Sequence, residues 1–324
     1  MRKVLGLAAL LVGLIAAASL WEYLRHGNIK FLTPGNARNL LTLVGLFGIL
    51  SLGQAFVIIT GGIDLSVGSV VALIGILAAD LLDRGQGWPP VIVIPAMLLL
   101  AGGIGAWHGL LITKARMQPF VVTLCGLFFY RGIARVVSND ETRGFGGAFP
   151  KLSWLANGFL PHENGILPVA FLIFVALAFA VAVFLHLTPQ GRHLFALGAN
   201  EESARFSGIR THCLKTLAYA LCSLITGVGG LLLAFNINSL GPTNFGSFYE
   251  LYAIAGVVLG GCSLRGGSGN IVGVVIGAAL IRVLTNLVSI LEIPSQLEYV
   301  VIGGAILAGV LVDELFTRRP AAAT

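Results

Sequence analysis

A carboxylate at Asp64 stands in the run VIITGGIDLSVGSVVALIG, residues 57–75, between two apolar stretches and beside Gly61, Gly62, Ser66 and Gly68. A charged group among apolar residues is costly and calls for a use. Two uses fit. The glycines can end one helix while Asp64, assisted by Ser66, accepts hydrogen bonds from the exposed N–H groups of the next, where the helix dipole favours negative charge. Alternatively, the carboxylate lines a path for a polar solute. A second segment, FNINSLGPTNFGSFYE, places Asn236, Asn238, Asn244 and Glu250 together. These groups can accept from and donate to hydroxyls, and they fit equally an ordinary polar loop that turns at Gly241-Pro242. The third stretch, GGCSLRGGS at 260–268, echoes GGIDLSVGS at 61–69: Gly61 aligns with Gly260, Gly62 with Gly261, Leu65 with Leu264, Gly68 with Gly267 and Ser69 with Ser268. Ser263 then falls at the place of Asp64, and serine is also a good cap.

Repeated interrupted helices are a mark of solute paths, because a broken helix exposes backbone groups that can bind solute. Chance similarity is the competing account in a chain with 43 glycines. Other chemistry is absent from the sequence. GGSGNIVG at 266–273 lacks the Lys and the Ser or Thr of a phosphate loop, and no HExxH, GxSxG or paired-carboxylate pattern occurs. Cys125, Cys213, Cys222 and Cys262 show no ligand spacing, so neither a disulfide framework nor a metal centre is expected.

The elements that position these residues follow from composition. Of 324 residues 56% are hydrophobic and only 10% charged, too little polar surface to coat a water-soluble globule. The fold class expected is an all-α integral membrane protein. Apolar runs suited to spanning fall at 4–24, 39–60, 65–82, 90–113, 118–137, 166–187, 213–235, 250–262, 270–290 and 296–316. About ten transmembrane helices are therefore expected, eight to ten with 57–75 and 255–270 as candidate re-entrant segments. The first run follows MRK and contains AAAS. A cleaved signal is the alternative, but its length, reaching Trp21, favours a retained helix.

The net charge of +6 resides in short loops, which reads as a topology signal and not as nucleic-acid binding. With the N-terminus cytoplasmic, eleven Lys and Arg lie inside and six outside, so both termini are placed in the cytoplasm. The longest outside loop is then 138–165 and the longest inside loop 188–212. One transmembrane domain covers 1–316, followed by a tail at 317–324. Both echo copies lie at the cytoplasmic side, which suits a parallel repeat. In the inside loop, TPQGRHLFALGANEESARFSGIRTHCLK, Pro189 and Gly191 are expected to end the sixth span, and NEESARFSGI forms a short helix capped by Asn200, with Glu201 and Glu202 in its first turn and Arg205 one turn later. This loop is either a docking element or a solvated connector.

AFVIITGGIDLSVGSVVAL, GRHLFALGANEESARFSGI followed by Lys215, and ELYAIAGVVLGGCSLRGGSGNIVGVVIGAALI resemble the membrane-spanning permeases of the ribose, xylose, arabinose and galactoside class of bacterial ABC importers. The likeness covers roughly 40–315. It implies a multi-pass permease of the inner membrane and a second permease subunit, the same or related, beside it. It also implies a cytoplasmic duplex ATPase that binds the ATP and magnesium, a periplasmic sugar-binding protein and a monosaccharide substrate, with no cofactor or catalytic residue in this chain. On this reading Gly61, Gly62, Asp64, Ser66, Gly68, Asn236, Asn238, Glu250, Gly260, Gly261 and Ser263 belong to the path or its gate, and Gly198, Ala199, Asn200, Glu201, Arg205 and Gly208 to ATPase coupling. The chain departs from the class at NLVSILEIPS, 286–295, which bears on the identity of the sugar. An ion-coupled carrier or channel is the alternative. Its candidate charges are Asp64, Arg131, Arg135, Glu250 and Arg282, of which all but Asp64 read as lying near span ends.

Overall fold

The computed structural model describes residues 2–83, 87–161, 165–294, 297, 299–304 and 307. Proline and glycine punctuate the apolar runs into helices: α1 (Arg2–His26), α2 (Pro34–Ile59), α3 (Val67–Asp83), α4 (Pro90–Thr113), α5 (Pro119–Ser138), α6 (Pro150–Asn157), α7 (Val169–Leu187), α8 (Pro189–Ala199), α9 (Glu201–Phe206), α10 (Thr211–Ile237), α11 (Tyr249–Leu259) and α12 (Ile271–Ile290). Five of these, α2, α4, α5, α6 and α8, begin with proline, whose fixed φ and missing N–H suit the first turn. Seven are long and apolar enough to cross a membrane: α1, α2, α4, α5, α7, α10 and α12. The shorter apolar helices α3 and α11 answer to the third and eighth runs. The protein is an all-α integral membrane protein, with nine of the ten expected runs seen as helices. Most of the tenth, 296–316, and the tail at 317–324 lie outside the described residues.

Helix α2 is the axis of the bundle. In its most apolar window 89% of residues are buried, against 11% for α1, which packs on α12 at the periphery. Around α2 stand α7, α10, α11 and α12, while α4 lies outside α10 and α5 outside α3. Lipid gives no hydrophobic reason for helices to approach, so close backbone contact through small residues takes over. A side chain on Gly105 or Gly109 of α4 would run into the α10 backbone at Tyr219 or Thr216, and one on Gly260 or Gly273 would separate α11 from α12.

At one end of the bundle, which the charge sorting assigns to the outside, the loop at 138–165 is anchored to the end of α10. Arg143 pairs backbone to backbone with Leu240, and the Phe145 N–H donates to Asn238 Oδ1 at 2.7 Å. Asn157 and Asn236 join side chain to side chain at 2.7 Å. A two-stranded antiparallel ladder, β1 (Phe159–Leu160) with β2 (Leu167–Pro168), closes this loop. Beside it, hydrogen bonds from Arg135 hold the Asp140 carboxyl below the usual carboxylate range.

The opposite end holds the 188–210 hairpin. Pro189 does not simply end the sixth span there. Thr188 closes α7 and caps α8 through its hydroxyl, which accepts from the Gly191 N–H at 3.1 Å, so Pro189 opens a new helix at a position that needs no N–H. Asn200 caps α9, its Oδ1 accepting from the Ser203 N–H at 2.8 Å.

Candidate functional site

Two helices stop at this end in the same way. At the end of α2 the Gly61 N–H donates to Ile58 O at 2.9 Å and the Gly62 N–H to Val57 O at 3.0 Å, with Gly61 at φ +78°. At the end of α11 the Gly261 N–H donates to Val258 O at 2.9 Å and the Cys262 N–H to Val257 O at 3.2 Å, with Gly261 at φ +87°. Each is a glycine stop in which the last carbonyls are satisfied by the residues that turn back. The echo is thus structural, with its register corrected by one: Gly61 answers to Gly261, not to Gly260. The register of the sequence alignment returns two residues later. Asp64 Oδ1 accepts from the Ser66 N–H at 2.8 Å, and Ser263 Oγ accepts from the Arg265 N–H at 3.2 Å.

The carboxylate stands three residues ahead of the helix it supports. Helix α3 starts its ladder from the Ser66 carbonyl, which accepts from the Val70 N–H at 2.8 Å, and Asp64 holds Ser66 by both its N–H and its hydroxyl, the latter at 2.6 Å. Asp64 has no exposure to solvent. Its other oxygen, Oδ2, lies 4.0 Å from His108 Nδ1 of α4. Neither atom has a hydrogen-bond partner among the described residues. The far side of the imidazole, Nε2, shares a hydrogen bond of 2.8 Å with the Tyr130 hydroxyl of α5. Gln54 Nε2 donates to the Asp64 carbonyl at 3.1 Å, and the Tyr219 hydroxyl donates to Ile63 O at 3.4 Å. Four helices therefore converge on one break. Tyr219 is eight residues past the start of α10, so the break lies about 12 Å into the bundle.

Both breaks meet the hairpin at closely packed glycine backbone. The Gly267 N–H donates to Ile59 O at 2.9 Å. A side chain on Gly266 would come within 2.8 Å of both Gly198 O and the Gly61 nitrogen, one on Gly267 within 2.6 Å of Ala199 Cα, and one on Gly198 into the Ile59 carbonyl. Residues 59–61, 198–199 and 265–267 form a three-way junction. Beyond it α9 projects, its Glu201 paired with Lys215 at 2.5 Å and its Phe206 ring 79% exposed beneath Arg205.

Comparison with known proteins adds the family. Residues 36–310 match the family described as "Branched-chain amino acid transport system / permease component". The chain belongs to this permease family. Among its relatives are proteins named "Ribose import permease protein RbsC" from Bacillus subtilis (strain 168), 40% identical over 88% of this chain and 87% of that one, and from Escherichia coli (strain K12), 37% identical over the same shares. "Xylose transport system permease protein XylH" of Escherichia coli (strain K12) is 30% identical over 89% of this chain and 87% of the relative. No solved structure matches the chain.

The other residues singled out in the permease sequence are distributed as follows. Gly68 lies against the Glu250 carboxylate and the Gly246 carbonyl, so Glu250 is a packing partner of α3 and not part of an exposed loop. Asn236 and Asn238 hold the 138–165 loop. Gly208 sits at φ +82° in open space. Arg131 does not lie near a span end: it occupies the second half of α5 and reaches the carbonyls of Pro242 and Phe245, at 3.0 and 2.5 Å. Arg282 does not lie near a span end: it occupies the second half of α12, buried beneath the rings of Phe47 and Tyr252 at 3.7 and 4.6 Å. Sequence reasoning missed Gln54, His108, Tyr130 and Tyr219. Polar groups inside apolar runs were the available signal, but nothing in their spacing joins four helices at Asp64.

Proposed function

We propose that this chain is the permease subunit of an ATP-binding-cassette importer that carries a monosaccharide across the bacterial inner membrane. A second permease subunit completes the path, a periplasmic binding protein delivers the sugar, and a cytoplasmic duplex ATPase binds ATP and magnesium and does the hydrolysis. The chain itself has no catalytic role. The relatives named for ribose and xylose support the sugar class, and the observation that carries the mechanism is the three-way junction. It ties an exposed helix, α9, to both helix breaks without an intervening flexible side chain, as needed if a partner docked on α9 is to move the breaks. Gly198, Ala199, Asn200, Glu201, Arg205 and Gly208 serve the coupling, and the segments around Asp64 and Ser263 serve the path or its gate.

The buried Asp64 beside His108 favours one competing reading, an ion-coupled carrier, since intramembrane ionisable pairs serve proton relays. Uptake of radiolabelled ribose and xylose into vesicles separates the two. The importer moves sugar only with its binding protein, its ATPase and ATP present. Uptake by this chain alone, driven by an imposed proton gradient, overturns the proposal.

A further inference from the structure

We propose that the hairpin end of the α4–α10 pair binds one anionic phospholipid, with its phosphate among Lys114, Arg116, Arg210 and His212 and an acyl chain laid along α4 over Gly103.

The packing of the two helices gathers the cations. Glycines of α4 set an antiparallel register, with Leu224 at Gly102, Tyr219 and Ala220 at Gly105, and Thr216 at Gly109. One further turn brings His212 to the end of α4 at Thr113. Lys114 closes the α4 ladder, its N–H donating to Leu110 O at 2.8 Å, and Arg116 and Arg210 flank this point in sequence. All four basic side chains are exposed. Lys114, Arg116 and Arg210 form no ion pair among the described residues. Glu201 and Glu202, the exposed acids described at this end, stand on α9, where Glu201 is taken by Lys215. The other end of the bundle differs: Arg135 pairs there with Asp140 and Arg143 with Glu141. Cations without acids beside a bilayer call for an anion from elsewhere, and the leaflet supplies phosphate, which guanidinium groups bind well.

The lipid-facing side of α4 continues from these charges. Leu99, Gly103, Trp107, Leu110 and Lys114 recur at spacings of three and four residues, which puts them on one face, and every one is exposed. Leu99 and Trp107 are 76% and 56% exposed, whereas a side chain begun at Gly103 between them would meet nothing within 4 Å. Two large side chains thus flank a notch. Trp107 lies about 10 Å along the helix axis from Lys114, where an indole meets the upper part of a chain whose headgroup is held at the lysine. A cationic headgroup site in line with an apolar notch fits a phospholipid. Free phosphate and acidic peptides have no use for the notch.

The test uses the full chain in symmetric vesicles with Trp107 as its one tryptophan, Trp21, Trp88 and Trp154 being replaced by Phe. Phosphatidylglycerol or phosphatidylcholine with brominated chains, which quench tryptophan on contact, is titrated into otherwise identical membranes. The apparent affinity at Trp107 should be about fivefold or more higher for phosphatidylglycerol, the factor that one surface cation contributes. Lys114→Gln with Arg116→Gln and Arg210→Gln should make the two lipids equal. Gly103→Leu, a better helix former that fills the notch, should lower the preference with every cation in place. If the Gln variant does not insert, salt decides: raising it from about 0.1 M to about 1 M shortens the screening length from about 10 Å to about 3 Å and should erase the preference. Equal quenching by the two lipids in the parent overturns the proposal, as does a preference that neither the Gln variant nor salt reduces. A preference that survives Gly103→Leu unchanged overturns the placement of the chain. If neither lipid quenches Trp107, protein covers this face, and a second permease subunit replaces the lipid. Loss of ATPase co-purification in the Gln variant, with no lipid preference in the parent, assigns the cations to the ATPase instead.

Discussion

The break after α2 and the break after α11 share a glycine stop and a side-chain oxygen that accepts the N–H two residues ahead, yet their surroundings differ. The first is enclosed by α4, α5 and α10 and carries a fully buried carboxylate. The second carries a half-buried serine and an exposed arginine, Arg265, with its following helix restarted by Asn270, whose Oδ1 accepts from the Val272 N–H at 2.8 Å. The same local fold is thus reached by two residue types. A hydroxyl suffices where water reaches the loop, and an acceptor that can hold both the N–H and the hydroxyl of Ser66 is used where it does not. A buried donor left without a partner costs about 1–3 kcal/mol, whereas an exposed one finds water.

The comparison breaks most severely at the piece both breaks share. Gly198→Val places branched carbon against the Ile59 carbonyl and the Gly267 nitrogen, and overpacking against backbone should cost about 3 kcal/mol or more. Little folded protein should survive detergent extraction, as judged by size-exclusion chromatography. A well-assembled Val variant would show that the junction is not rigid.

Asp64→Leu comes next, with an expected loss of about 2–3 kcal/mol from the stranded Ser66 groups. Asp64→Asn, which keeps an acceptor at Oδ1, should lose about 1 kcal/mol or less and retain most sugar uptake. Thermal unfolding and uptake normalised to assembled protein check the pair. An Asn variant that assembles stably and moves no sugar would transfer Asp64 from capping to gating, with His108 as the group it answers to.

Smaller effects sharpen the contrast. Gly61→Ala and Gly261→Ala each force a left-handed residue, at about 1–2 kcal/mol. The loss should be greater at Gly61, where Arg265 O would stand 3.4 Å from the added carbon, while nothing lies within 4 Å at Gly261. Equal melting temperatures for the two would deny that the first break is the more tightly enclosed. Ser263→Ala should change stability by less than about 0.5 kcal/mol. A loss as large as that of Asp64→Leu would show that the second break is enclosed in the assembled complex.

Much of this was legible in the chain, for reasons that separate local from non-local. Apolar runs located nine helices to within about five residues: seven have the length that the hydrocarbon thickness sets, and the shorter α3 and α11 were marked by the glycines and polar residues that bound them. The Asn200 cap and the glycine stops depend on neighbours in sequence and were readable for that reason. The one-residue slip in the echo was not, since aligned letters do not report which glycine takes positive φ. Pro189 was ambiguous because proline both ends and begins helices. The Asp64–His108–Tyr130 row and the burial of Arg282 arise from packing between segments tens of residues apart, for which a single sequence offers no spacing rule.

The junction of 59–61, 198–199 and 265–267 has a mechanical meaning. Side chains in contact can change rotamer and absorb a displacement, like slack in a linkage. Peptide planes touching through glycine have no such freedom, so under the proposed coupling a push on the α8–α9 hairpin would reach both breaks with little attenuation. The stiffness comes with a narrow tolerance. A mutation that adds a carbon at Gly198, Gly266 or Gly267 meets backbone first and not the end of a movable side chain.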